Sequence, residues 1–191
     1  MKVVLGHQTS HQVVFVGPFG VGKTTALRAI SDIPVTSTEA DSSEVAQLGP
    51  TAKTTTTVGF DYGEWAFEDG TRVGLFGVPG QERFHAMWDA VLPQSSAVVL
   101  WLYGDRSSAL NDCRFWLDAL AQRKAVARLA VALTRVPQDL PDAQLTPFRQ
   151  LIGRYHPLAP LITADPRDAT SVMQATMIAL STPCVGVGAR T

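Results

Sequence analysis

The chain has 191 residues, a formal net charge of −1 and 46% apolar residues. This length suits one domain with its own core, and the near-neutral charge argues against a broad nucleic-acid-binding face. No apolar stretch is long enough to span a membrane as a helix, and the widely separated Cys113 and Cys184 fit a reduced, cytoplasmic protein rather than a disulfide framework.

In chain order, residues 1–11 read as a lead-in. Residues 3–5 are open to two readings, an edge strand or a loose tail. The start is too short and too polar for a secretion signal. Lys2 excludes N-myristoylation, and Cys184 is not fourth from the end as a prenylation box requires. No direct membrane anchor is therefore expected.

Residues 12–16 (QVVFV) form an apolar run of strand type, and residues 25–30 have helix-forming character. Between them Gly17-Pro18-Phe19-Gly20-Val21-Gly22-Lys23-Thr24 fits the pattern G-x-x-x-x-G-K-[ST]. Strand, glycine loop, helix is the setting in which that pattern binds phosphate. Glycines let the loop curl so that backbone N–H groups face inward, and the helix start favours anions. The expected nucleotide-binding residues are Gly17, Phe19, Gly20, Val21, Gly22, Lys23, Thr24 and Thr25. Lys23 would reach the β- and γ-phosphates, and the Thr24 hydroxyl would bind Mg²⁺.

Residues 31–53 form a long polar connection of the kind that serves function or moves. Residues 54–62 (TTTTVGFDY) read as extended, residues 64–67 alternate, 68–70 signal a turn and 71–76 a further strand. An antiparallel hairpin is expected here. The loop 77–84 (GVPGQERF) leads to a short helix, 85–92, stopped by Pro93. The nearly continuous apolar run 96–103 predicts a strand buried on both faces. A helix follows over 111–124, with Phe115, Leu117, Leu120 and Ala121 inward. Then come a strand over 129–133, a helix over 145–155 weakened by Pro147, a strand over 158–163 and a helix over 168–180. Asp168 and Thr170 are the two candidate N-caps of the last helix. Trp65 and Trp88 are the tryptophans expected near a loop surface, and residues 183–191 are expected to be loose. Alternating strands and helices predict an α/β, mostly parallel sheet covered on both sides. A single domain over 1–191, with a core of about 11–180, is expected.

In this motif order the chain resembles the small Ras-like GTPases, and among them bacterial members of the MglA polarity type and proteins encoded beside roadblock-domain partners. Residues 53–61 (KTTTTVGFD) and 76–84 (FGVPGQERF) carry most of the likeness. The likeness covers about residues 11–180 by element order, with its specific motifs in the first half. The resemblance implies a three-layer P-loop NTPase fold with one antiparallel strand, GTP or GDP with Mg²⁺ as ligands, and slow hydrolysis. By the same resemblance Thr57 would join Thr24 on Mg²⁺. The Gly80 N–H would meet the γ-phosphate, and Gln81 would orient the attacking water. A roadblock-type regulator would be the partner, in cell polarity, motility or signalling.

Three positions depart from that pattern. The aspartate that opens the second switch loop is replaced by Gly77. The base-specificity motif is replaced by Thr134-Arg135-Val136-Pro137, with Asp139 two residues late. Thr134 and the Arg135 stem can still pack on a base, but the carboxylate that recognises guanine is missing. The third motif is Thr163-Ala164-Asp165, where the Ala164 backbone and the Asp165 carboxylate are the candidates to face the base. No arginine finger is evident, since Lys53 and Arg83 read as surface residues. The alternatives are a pseudo-GTPase scaffold with little or no hydrolysis and a small ATPase or kinase. His7, His11, His85 and His156 have no metal-ligand spacing with the cysteines, and there is no stacking pattern for single-stranded nucleic acid.

Overall fold

The computed structural model describes residues 9–37, 60–137 and 141–184. Its strands are β1 (His11–Val16), β2 (Thr36–Ser37), β3 (Asp61–Ala66), β4 (Arg72–Gly77), β5 (Ala97–Tyr103), β6 (Leu129–Thr134) and β7 (Leu161–Thr163). Its helices are α1 (Lys23–Ile30), α2 (His85–Val91), α3 (Ala109–Gln122), α4 (Asp142–Gly153) and α5 (Ala169–Ser181). All seven strands join one sheet in the order β2-β3-β4-β1-β5-β6-β7. Only β3 runs against the others, pairing antiparallel with both β2 and β4. The fold is thus α/β with a mostly parallel sheet.

Strand periodicity divides the core. Val14, Val16, Val98, Leu100 and Leu102 face the side covered by Trp88, Trp116, Leu117 and Ile152 of α2, α3 and α4. Val13, Phe15, Val99 and Trp101 face the side covered by Leu27 of α1 and Val172 and Ala175 of α5. Alternate residues point to opposite faces, so a strand sandwiched between two helix layers must be apolar throughout. Every residue of β5 and β6 is buried, as that demands.

Several expectations shift. Trp88 is fully buried, not near a loop surface, and its ring lies 4.5 Å from that of Trp116. Trp65 is half-buried. Phe115 is among the exposed large apolar residues, because the buried stripe of α3 runs through Cys113, Trp116, Leu117 and Leu120 instead. Helix α4 begins at Asp142, three residues before the expected 145, and carries Pro147 inside it. The strand expected over 158–163 shrinks to Leu161–Thr163, and Leu158 is 58% exposed. Asp168 is the N-cap of α5, its side chain accepting from the N–H groups of Thr170 and Ser171. The readings of residues 3–5, 54–59 and 185–191 lie outside the described residues. Among the described residues no helix is long and apolar enough to cross a membrane.

The strand order reverses at β1, between β4 and β5. In open parallel sheets such a reversal opens a crevice beyond the carboxyl ends of the strands. The segments leaving β1, β4, β6 and β7 there are the ones the sequence singles out.

Candidate functional site

The loop between β1 and α1 holds three glycines at positive φ: Gly17 (137°), Gly20 (75°) and Gly22 (112°). Gly22 is also the N-cap of α1 and adopts a left-handed conformation that side chains resist. A Cβ there would lie 2.7 Å from Pro166 Cγ, so the position also sets how closely the loop after β7 approaches. Among the described residues the N–H groups of Gly20, Gly22, Lys23 and Thr24 find no backbone acceptor. Four unspent donors on a curled loop at a helix start make an anion cradle.

Lys23 turns back into this loop. Its Nζ donates to the carbonyl oxygens of Gly17 at 2.8 Å and Pro18 at 2.9 Å. The residue is only 9% exposed. Burial pulls its pKa from 10.5 down to about 8, partly opposed by the field of Asp61. A buried ammonium held by two neutral carbonyls still lacks a full counter-charge. A bound polyphosphate would supply one.

Thr24 donates its hydroxyl hydrogen to Asp61 Oδ2 in a very short contact. The other carboxylate oxygen, Oδ1, accepts from the Ser37 hydroxyl. Asp61 is directly opposite Gly77 in the β3–β4 ladder, so their side-chain positions share one face of the sheet. A Cβ on Gly77 would lie 3.1 Å from Asp61 Oδ2. Asp61 thus brings a carboxylate from the neighbouring strand beside the side-chain position of residue 77. The sequence reading assigned Asp61 no role. The available signal was the pairing of a lone aspartate at the end of 53–61 with the glycine across the hairpin. Thr24 and Asp61 offer hard oxygen ligands that suit Mg²⁺. Thr57, Lys53 and Asp139 lie outside the described residues.

Gly80 packs directly on the glycine loop. A Cβ there would meet Gly17 O and the Phe19 N, each at 2.5 Å. Only a residue without a side chain allows that approach. Gln81 follows, half-buried, at the start of a short 3₁₀ turn over Glu82–Phe84. Trp88 Nε1 donates to the Pro79 carbonyl at 2.9 Å and ties this loop to the core. Tyr103 donates its hydroxyl hydrogen to Phe19 O at 3.0 Å, supporting the glycine loop from β5. The Phe19 side chain is 70% exposed.

A cleft of about 610 Å³ continues from Gly20, Val21, Gly22 and Thr25 to Thr134, Arg135, Ala164 and Asp165. The distal residues predicted from sequence come together along this cleft. The Ala164 N–H donates to Leu133 O at 2.9 Å and is spent on the sheet. The Asp165 carboxylate is occupied by Arg167. Arg167 Nη2 bonds Oδ2 at 2.8 Å, while its Nε and backbone N bond Oδ1 at 3.0 and 2.9 Å. These bonds hold the carboxyl down at about 2. Arg135 has a left-handed backbone (φ 59°), and its guanidinium lies 4.8 Å from the centre of the Tyr103 ring. Arg83 is exposed and lies over the Phe84 ring.

The fold and site together define an α/β protein with a glycine-lined, lysine-bearing crevice at the reversal point of its sheet. No protein-family model matches the chain, and no curated protein is significantly similar to it.

Proposed function

We propose that this protein is a small nucleotide-dependent switch with a Ras-like P-loop fold, binding GTP or GDP with Mg²⁺ and hydrolysing GTP slowly. One observation carries the reading. The buried Lys23 ammonium sits inside a loop whose N–H groups are unspent, with the Gly80 backbone pressed against it.

In this reading the loop 17–24 binds the phosphates through main-chain N–H groups, and Lys23 balances their charge. Thr24, Asp61 and Thr57 would hold Mg²⁺, which supplies further neutralisation of the phosphate oxygens when bound. Thr24 donates to Asp61 in the described arrangement, and this pairing of a hydroxyl with a carboxylate supports their sharing one divalent ion. Gly80 lends its N–H to the terminal phosphate. Gln81, next to it, both donates and accepts, and can hold a water in line. Loss of the terminal phosphate removes the partner of Gly80 and frees the 77–84 loop. The resemblance supplies the partner class, a roadblock-type regulator. Without a partner's arginine, turnover is slow, and a partner raises it by roughly 10³–10⁵.

The scaffold alternative draws support from the base end, where the usual guanine contacts are replaced. Single-turnover hydrolysis separates the two: cleavage that disappears in Gln81→Leu supports the switch, and retained, uncleaved triphosphate supports the scaffold. The underlying reading is tested by calorimetry with GDP and GTP, with and without Mg²⁺. Lys23→Ala is expected to weaken binding by about a hundredfold or more, since it removes a charge-assisted contact in a desolvated site. No binding of either nucleotide at millimolar concentration would end the proposal.

A further inference from the structure

The second inference rests on the nucleotide reading and concerns the other end of the same cleft. Guanine presents N–H donors at N1 and N2 and asks for a carboxylate, and its O6 asks for an N–H. Adenine presents an amino donor and a ring-nitrogen acceptor instead. Sites that discriminate strongly do so by leaving a buried polar group unpaired when the wrong ligand enters.

Among the described residues lining the cleft, Asp165 is the one carboxylate. Both its oxygens are already taken, by two guanidinium N–H groups and one backbone N–H of Arg167. The backbone bond closes a tight turn over Pro166, so the side chain is fixed locally as well as paired. Releasing Asp165 to guanine gives up three hydrogen bonds for two. The Ala164 N–H that would meet O6 already donates to Leu133. Among the described residues, neither half of a guanine-reading pair is free of a bond within the protein.

We infer that the base end of this cleft accepts a purine without distinguishing guanine from adenine, so that the ligand class is purine nucleoside triphosphates in general. The Arg167–Asp165 pair is the cause. Among the described residues, what remains to hold the base is shape, the hydroxyl-bearing Thr134 and Thr163, and Arg135, whose guanidinium lies over the Tyr103 ring. The occupant in a cell would follow the concentrations of the nucleotides, not a preference of the site.

The test is competition against a fluorescent GTP analogue, using the full chain with Mg²⁺ and unlabelled GTP and ATP as competitors. Dissociation constants within about fivefold of each other are expected. A preference of about tenfold or more for either base overturns the inference. Arg167→Gln then tests the cause. Arg167 is 80% exposed, so its replacement leaves the core untouched. Freeing Asp165 should shift the GTP-to-ATP ratio toward GTP by about tenfold. An unchanged ratio in that variant overturns the lock. A probe that does not bind the chain at all, with no binding of GTP or ATP by calorimetry, would instead strike the phosphate-loop reading on which this one rests.

Discussion

The two ends of the cleft are built differently. The end proposed to take phosphate is made of backbone: glycine conformations, unspent N–H groups, and a lysine packed to 9% exposure. The base end is made of side chains, and its central pair, Arg167 and Asp165, is 80% and 43% exposed. A backbone site cannot be altered gradually, because each element is fixed by closure of the loop. A surface ion pair contributes little to the stability of the fold, so its residues can be substituted without disturbing the core. On the proposed reading, selectivity is therefore adjustable at one end while grip is fixed at the other.

Gly22 belongs to both ends, so its substitution has the largest expected effect. Gly22→Ala must adopt φ near 112° and press its methyl to 2.7 Å from Pro166. The backbone strain alone is worth about 1–3 kcal/mol. Urea denaturation should show that loss, and nucleotide affinity should fall for every base alike. A variant with normal stability and lost affinity for one base only would break the division between the ends.

Asp61→Asn comes next, and it acts on the phosphate end alone. The amide keeps the shape but loses the charge that faces Thr24. Affinity for GTP in the presence of Mg²⁺ should fall about tenfold, while affinity in EDTA should change little. An equal loss under both conditions would make Asp61 a partner of Lys23 rather than of the metal. Adding Gly77→Asp to a small residue at position 61 should restore the Mg²⁺-dependent part, since the two positions pair across the hairpin.

A pH series separates the ends without mutation. In the folded protein Lys23 gives up its proton near 8, whereas the unfolded chain keeps it to 10.5. The unfolded state therefore binds more protons across that window, and the ligand-free fold gains stability as pH rises from about 8 to 10.5. Nucleotide binding needs the ammonium, so affinity in EDTA should fall by about tenfold per pH unit above 8. Asp165, held near 2 by Arg167, contributes nothing in this range. Lys23→Met should flatten both curves.

Legibility in the sequence follows the same division. The apolar runs gave the central strands because burial on both faces leaves no polar position to confuse the pattern, as in Ala97–Tyr103. The glycine-lysine loop was readable because its spacing is local. Asp61 was not, since its importance lies in a cross-strand partner sixteen residues away in the chain, Gly77. The capture of Asp165 by Arg167 was hidden for the opposite reason. Two residues apart, an aspartate and an arginine read as ordinary surface charge, and only the turn over Pro166 brings them into a closed pair. Phe115 misled because amphipathic spacing leaves the phase of a helix uncertain by one position, and α3 buries Trp116 instead.

The smallest expected effect concerns two buried indoles that support the cleft from opposite sides of the sheet. Trp88 and Trp101 are both fully buried. Trp88 Nε1 donates to Pro79 O, beside Gly80. Trp101 Nε1 has no hydrogen-bond partner among the described residues, although its backbone carbonyl forms the floor under Gly17. Replacing either by Phe removes the same atoms and leaves a similar void, so the cavity costs largely cancel in the comparison. The largest remaining difference is the bond to Pro79, alongside the Arg123 guanidinium that lies over the Trp88 ring. Trp88→Phe strands a carbonyl, whereas Trp101→Phe removes a donor that was already unpaired. Trp88→Phe should therefore be the more destabilising by about 1–2 kcal/mol in urea denaturation, and it alone should loosen the 77–84 loop. Equal costs for the two variants would mean that the Pro79 bond does not hold that loop against the glycines.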